Sequence, residues 1–283
     1  MEIVQRPAEM QRLAVEYRRR GQSIGLVPTM GALHAGHVSL LWSCRAENDV
    51  SAMTLFVNPA QFNRPEDLAR YPRDLEGDSR IARKAGVDVI FAPTVEDMYP
   101  TGYAAYVTVE GLTARWEGAS RPGHFRGVAT VCTKLFTICR PHRAYFGQKD
   151  YQQSLVVKRL AVDLNLDLEI VVLPTVREPD GLALSSRNVL LGPQEREQAA
   201  VLSRSLRHAQ AAVHTGERDA VKVRLAIEAE IRGTPLAVLE YVGVCDPETL
   251  EPLERVPDKA VAVVAARFGT TRLIDNMLLE IEQ

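Results

Sequence analysis

From the N-terminus to about residue 175, short β-branched runs alternate with stretches in which apolar residues recur every three or four positions. The apolar runs predict strands over 23–28, 50–57, 87–91, 144–146 and 168–173. The helical period predicts helices over 37–47, 74–85, 128–139 and 151–165. Strands that alternate with helices in this way form a mostly parallel sheet covered by helices, and such sheets take ligands at the carboxyl ends of their strands.

The pattern changes after Leu173-Pro174. Residues 193–214 predict one long helix, with Leu202, Leu206, Ala209 and Val213 on one stripe, and 220–231 predict a second. Two β-rich runs follow, 238–245 and 260–266, joined through the turn-rich Asp246-Pro247-Glu248-Thr249. The expected division is an α/β domain over 1–175 and a smaller α+β domain over 176–283, with the boundary between Pro174 and Pro193.

Composition narrows the possible functions. Hydrophobic residues make up 46% and charged residues 25% of the 283, the usage of a packed, water-soluble protein. Lys plus Arg total 34 against 36 for Asp plus Glu, a net charge of −2, so no global field draws the chain to nucleic acid or anionic lipid. The start, Met1-Glu2-Ile3-Val4-Gln5-Arg6-Pro7, lacks the basic and apolar regions of a secretory signal. The longest apolar run, 260–266, falls far short of the roughly 20 residues that span a bilayer. Cysteines at 44, 132, 139 and 245 form neither a Cys-x-x-Cys pair nor a disulfide framework, so reduced thiols in a cytoplasmic protein are expected.

The segment richest in chemistry is Pro28-Thr29-Met30-Gly31-Ala32-Leu33-His34-Ala35-Gly36-His37, between the first predicted strand and helix. Gly31 and Gly36 allow backbone to approach an anion, and a helix starting near His37 offers free N–H groups and the positive end of its dipole. The glycine spacing is that of a P-loop, but His37 and Val38 replace its Lys and Ser/Thr, which removes the magnesium-binding hydroxyl. As metal ligands, His34 and His37 lack both a following Glu and an evident third partner. A pair of histidines that only caps a helix is the plainer reading, and it leaves the two glycines unexplained.

His34-Ala35-Gly36-His37 resembles the His-x-Gly-His signature of nucleotidyltransferases, and the longer string resembles the pantoate–β-alanine ligase family. Further segments match in order: Phe56-Val57-Asn58-Pro59-x-Gln61-Phe62, Tyr71-Pro72-Arg73, Met98-Tyr99-Pro100, His124-Phe125-x-Gly127-Val128 and Phe146-Gly147-x-Lys149-Asp150-Tyr151-Gln152-Gln153. Pro174-Thr175-Val176-Arg177-Glu178, Leu184-Ser185-Ser186-Arg187-Asn188 and Ala265-Ala266-Arg267-Phe268-Gly269-x-Thr271-Arg272-Leu273-Ile274-Asp275-Asn276 complete the series. The resemblance covers essentially the whole chain. Gln148 departs from the Glu common in the family, and Gly243 and Cys245 interrupt a run that is usually more β-branched.

The resemblance implies a Rossmann-like domain that binds ATP and pantoate, followed by a smaller lid domain. It implies ATP-dependent joining of pantoate and β-alanine through pantoyl adenylate, with ATP arriving as its Mg2+ complex, no resident metal ligands identified, and a homodimer. By resemblance the ATP site comprises Met30, Gly31, Ala32, Leu33, His34, Ala35, Gly36, His37, Gly147, Gln148, Lys149, Asp150, Val176, Leu184, Ser185, Ser186 and Arg187. His37 is the implied proton donor, Gln61 contacts pantoate and β-alanine, Gln153 contacts pantoate, and Asn58 assists. Residue types agree: His34, His37, Lys149 and Arg187 supply donors or positive charge for phosphate, and neutral amides orient a carboxylate without binding it too firmly.

Other residues read more simply. His208 and His214 are expected to be solvated, Trp42, Cys44 and Cys132 to pack in the core, and Lys149-Asp150 taken alone would be a surface ion pair. Arg121 and His124 match family positions without an assigned step. A different nucleotidyltransferase would need another acceptor site. A tRNA synthetase would need basic surface and a longer chain, and a nucleotide sensor would release no pyrophosphate.

Overall fold

Six parallel strands, β1 (Glu2–Val4), β2 (Ile24–Thr29), β3 (Val50–Leu55), β4 (Val89–Phe91), β5 (Arg143–Gly147) and β6 (Glu169–Leu173), make one sheet in the order β1-β4-β3-β2-β5-β6. Successive side chains of a strand face opposite sides. Leu26, Ala52, Phe91 and Phe146 accordingly enter one buried cluster, and Val27, Met53, Ile90 and Tyr145 the other. Helices Pro7–Arg19, His124–Cys139 and Tyr151–Asp163 supply the first cluster, and Ala35–Glu47 and Leu75–Lys84 the second. Burial on both faces is why these strands read as continuous apolar runs.

β2 pairs with β3 on one side and β5 on the other, so Leu26 lies opposite both Ala52 and Ala144. Strand order reverses between β2 and β5, and a doubly wound sheet takes its ligand in the crevice outside that reversal. The loop after β2 is the His34–His37 segment.

The computed structural model describes residues 1–281 and places them in two units, Met1–Gly147 with Gln152–Pro174, and Gln148–Tyr151 with the chain from Thr175 onward. In the second unit β7 (Ala237–Cys245), β8 (Lys259–Phe268) and β9 (Thr271–Glu280) form an antiparallel sheet in that order. Leu202, Leu206, Val213, Val223, Ile227 and Ile231 of helices Val201–His214 and Ala220–Arg232 join its buried cluster.

Several elements differ from the sequence expectation. The helix expected over 193–214 is two, Pro193–Ala199 and Val201–His214, sharing Ala200 as a cap. Ala199, Val201, Leu202 and Ser203 are all buried there, more consecutive positions than one straight amphipathic face can hide. β1, helix Pro7–Arg19 and β9 lie outside the predicted elements, the helix being announced only by Pro7 in its first turn. Gly243 and Cys245 sit in unbroken pairing, opposite Val263 and Val261, and the register shift lies between Leu239 and Tyr241. Trp42 is 62% exposed, because Leu41 and Cys44 take the face of its helix that meets the sheet, whereas Cys44 and Cys132 are buried as expected. Among the described residues no helix is long and apolar enough to cross a membrane.

Candidate active site

The chain leaves β2 at Thr29 through two consecutive left-handed residues, Gly31 (φ +87°) and Ala32 (φ +53°). Such a turn aims successive amides at one point and forms an anion-binding nest. Here the anion is the protein's own: Asp78 accepts hydrogen bonds from the amides of Ala32 and Leu33, each at 2.9 Å. Asp78 is only 5% exposed. A Cβ on Gly31 would lie 2.7 Å from its Oδ2, and the left-handed φ independently favours glycine. The Gly31 amide donates to Thr29 Oγ1 at 3.2 Å. Each of these three amides therefore serves an internal acceptor, which fixes the shape of the loop that leads to the histidines. A cavity of about 320 Å3 opens beside them, with Met30, Gly31 and Asp78 in its wall.

The helix after the loop starts at Ala35, two residues before the expected point, with His34 as its N-cap. His34 Nδ1 accepts from the Gly36 amide at 3.1 Å, and His37 Nδ1 accepts from the His34 amide at 3.3 Å. A nitrogen that accepts carries no hydrogen, so each neutral ring holds its proton on Nε2. The ring centroids are 4.1 Å apart, tilted by 43°. The backbone therefore makes both rings Nε2–H donors. Among the described residues no group of three or more His, Cys, Asp or Glu is arranged to hold a metal.

A second construction centres on Asn58, which is 1% exposed and caps the 3-10 turn Pro59–Gln61. Its Oδ1 accepts from the Ala60 amide at 3.3 Å and the Tyr99 hydroxyl at 2.7 Å, and its Nδ2 donates to Gly127 O at 3.0 Å and Gln61 Oε1 at 2.9 Å. All four hydrogen-bonding positions of the amide are filled by protein groups. Burial raises the Tyr99 hydroxyl well above the usual tyrosine range, which keeps it a donor. Because Gln61 Oε1 is engaged as an acceptor, its Nε2 is left to donate, and Met30 Sδ lies 3.2 Å from it.

Arg121 and His124, unassigned by sequence, grip the same turn. His124 Nδ1 donates to the Gln61 carbonyl at 2.9 Å, and Arg121 reaches that carbonyl at 3.3 Å and the far ring nitrogen of His124 at 3.3 Å. Gly127 allows the contact, since a Cβ there would lie 2.3 Å from Ala60 O. Phe62 packs edge-on against Tyr71, with 5.8 Å between ring centroids. Gln152 and Gln153 open helix Tyr151–Asp163 differently: Gln152 is buried and bonded to Leu112 O, Arg115 O and the Glu117 amide, whereas Gln153 is half-buried.

In the second unit Gln148–Asp150 forms a 3-10 turn, with Lys149 half-buried and Asp150 exposed. Asn276 of β9 donates to the carbonyls of both Gln148 and Lys149 at 2.9 Å. Val176 and Leu184 are brought together by the Leu184 amide, 3.0 Å from Val176 O. Ser185 Oγ accepts from the Arg187 amide at 3.3 Å, Ser186 is half-buried, and the exposed Arg187 reaches Arg272 O at 3.5 Å.

Sequence reasoning assigned no role to Asp78, Tyr99 or Asn276. The signal for Asp78 was a carboxylate on the apolar stripe of its helix, four residues before the buried Ala82. Tyr99 and Asn276 lay inside matched segments, and nothing local shows which turn each would hold.

A family profile described as pantoate-beta-alanine ligase matches residues 2–278. A pantothenate synthetase of Moorella thermoacetica is 55% identical over 281 residues, covering 99% of each chain. The crystal structure of a Thermus thermophilus pantothenate synthetase superposes with a TM-score of 0.93 at 48% identity, covering 99% of this chain and 100% of that one. A pantoate-beta-alanine ligase of Francisella tularensis, solved with beta-gamma ATP and beta-alanine, gives a TM-score of 0.81 at 36% identity, over 100% and 99% of the two chains. Matched along its length by sequence and by structure, the chain belongs to the pantoate–β-alanine ligase family.

Proposed function

We propose that the protein joins pantoate to β-alanine at the expense of ATP, by way of an acyl adenylate. The single observation that carries this reading is that the backbone makes the two histidines Nε2–H donors, while the Asn58 relay leaves the Gln61 amide, which reaches Met30 of the same loop, donating. Such a site receives phosphate and carboxylate oxygens.

A carboxylic acid with a pKa near 4 is ionised at neutral pH, so its attack on the α-phosphorus of ATP needs no base. The new bond joins the carboxylate oxygen to phosphorus, and the bond to the bridging oxygen breaks to release pyrophosphate. What the step needs is in-line positioning and neutralisation of charge. His34 and His37 donate to phosphate oxygens, with His37 supplying the proton donor, and Lys149 and Arg187 bring positive charge. Ser185, Ser186 and Asp150 hold the nucleotide with the backbone of Val176 and Leu184. ATP enters as its Mg2+ complex, so the metal comes with the substrate. Gln61 and Gln153 orient pantoate, Gln61 also receives β-alanine, and Asn58 acts by holding Gln61.

In the second step the amine of β-alanine attacks the acyl carbon, the bond to AMP breaks and the nitrogen loses a proton. Adenylation comes first, because a free carboxylate offers no leaving group. An exposed acyl adenylate would hydrolyse, and the smaller domain is suited to act as a lid. The four buried, reduced cysteines support residence in the cytoplasm, and a homodimer is expected by family resemblance.

The test is isotope exchange. Labelled pyrophosphate should enter ATP with pantoate alone, and the adenylate should stay bound until β-alanine arrives. Exchange that requires β-alanine would replace the two-step reading with a concerted ligation.

A further inference from the structure

Asp275 and Asn276 stand side by side in β9, and each reaches a different segment of the proposed nucleotide site. Asn276, 3% exposed, spends both Nδ2 hydrogens on the carbonyls of Gln148 and Lys149. Asp275, also 3% exposed, takes both arms of the Arg177 guanidinium, Nη1 to Oδ2 at 2.6 Å and Nη2 to Oδ1 at 3.0 Å. Arg177 also donates to Gly181 O at 3.0 Å and pairs antiparallel with Ala183, which closes the hairpin whose ends are Val176 and Leu184. Asp275 Oδ1 further accepts the Asn276 amide at 2.8 Å, which ties the two grips together.

β9 itself is firmly set. Its pairing with β8 runs unbroken from Lys259–Glu280 to Phe268–Thr271, placing Asp275 opposite Val264 and Asn276 opposite Val263. A slip of one residue would send every side chain to the other face. The distance between the Lys149 turn and the Val176–Leu184 hairpin is therefore referred to a rigid strand.

We infer that Asp275 and Asn276 are positioning residues that set the spacing of the two nucleotide-contacting segments, Asn276 by clamping the Lys149 turn and Asp275 by holding the hairpin through Arg177. The inference rests on the proposed role of Lys149. A lysine ammonium rides on a flexible four-carbon stem, so its placement against a phosphate depends on a fixed backbone beneath it. Asn276 fixes two consecutive peptide planes there. Asp275 and Arg177 form a bidentate pair, the geometry that gives the most directional hold.

A double-mutant cycle tests this, with single-turnover pyrophosphate release from ATP and pantoate as the readout. Asn276→Ala should lower the rate about 10-fold to 100-fold, the cost of misplacing a reacting group by about an ångström, and leave the KM for pantoate within about twofold. In a Lys149→Ala background the same substitution should cost less than about threefold, because residues that act through one another are not additive. A full additional loss there would overturn the inference while keeping Lys149 in the mechanism. A Lys149→Ala enzyme with wild-type rate would instead remove Lys149, and with it the object of the clamp. Should Asn276→Ala fail to fold, Asn276→Ser, whose single hydroxyl can serve one carbonyl, takes its place in the same cycle. Asp275→Asn should raise the KM for ATP about 10-fold with that for pantoate unmoved, and an unchanged KM for ATP would strike Asp275 from the clamp.

Discussion

The loop after β2 and the turn after β5 leave neighbouring strands, yet they are held in opposite ways. The histidine loop is held largely from nearby in the chain: amides within the same four residues meet the Nδ1 atoms of His34 and His37, and Asp78, 46 positions from Ala32 in the same unit, accepts the Ala32 amide. The lysine turn takes its support from Asn276, 127 positions from Lys149. A histidine ring with an engaged Nδ1 needs no outside help to present Nε2–H, whereas a lysine needs its backbone fixed. The histidine rings are thus oriented by neighbours in the chain, and the lysine turn by a distant strand of the second unit.

The largest expected effect comes from removing the support that Asp78 gives the histidine loop. Asp78→Ala leaves the Ala32 and Leu33 amides without their acceptor, at about 1–3 kcal/mol for each buried orphan. The KM for ATP should rise about 10-fold or more, and the thermal unfolding midpoint should fall. A normal KM for ATP in a destabilised enzyme would show that the loop keeps its shape without Asp78.

A smaller and more selective loss is expected from Gln153→Ala. Losing an amide that pairs with substrate costs about 1–3 kcal/mol. The loss should fall on pantoate and spare ATP, which separate titrations of the two substrates would resolve. Equal weakening of both would mean that Gln153 supports the fold, and the acid side of the site would no longer separate from the nucleotide side.

The mildest change is Tyr99→Phe, which removes one donor from Asn58 and leaves its other three bonds. About 0.5–1.5 kcal/mol of pantoate binding should be lost, the net worth of a single hydrogen bond. Because the phenol pKa is raised, the hydroxyl stays neutral in the folded protein up to and beyond pH 10, and the ratio of wild-type to variant activity should not change with pH to that point. A ratio that collapses toward one as pH rises to 10 would show an ionising phenol and remove Tyr99 as a fixed donor in the Gln61 relay.

Much of this was legible in the residues. Continuous apolar runs announced β2, β3 and β5, since a strand covered on both faces has no polar side to show. The His34-x-Gly36-His37 string announced its own cap, because each ring finds its partner within three residues. β1, with three residues, was too short to show a period. Trp42 could not be placed because periodicity reports that a helix has an apolar stripe, while packing selects which large side chain lies outside it.

What the order of residues settled, then, was the α/β class with its buried parallel strands, and the family. Those follow from side-chain alternation and from motifs whose partners are neighbours in the chain. Which acceptor fills the Gly31–Leu33 nest, which way the Gln61 amide points, and what fixes Lys149 all depended on Asp78, Tyr99 and Asn276 arriving from other elements. A hydrogen bond is satisfied by whatever partner the packed fold brings within about 3 Å, and no local pattern records a contact made across more than a hundred residues.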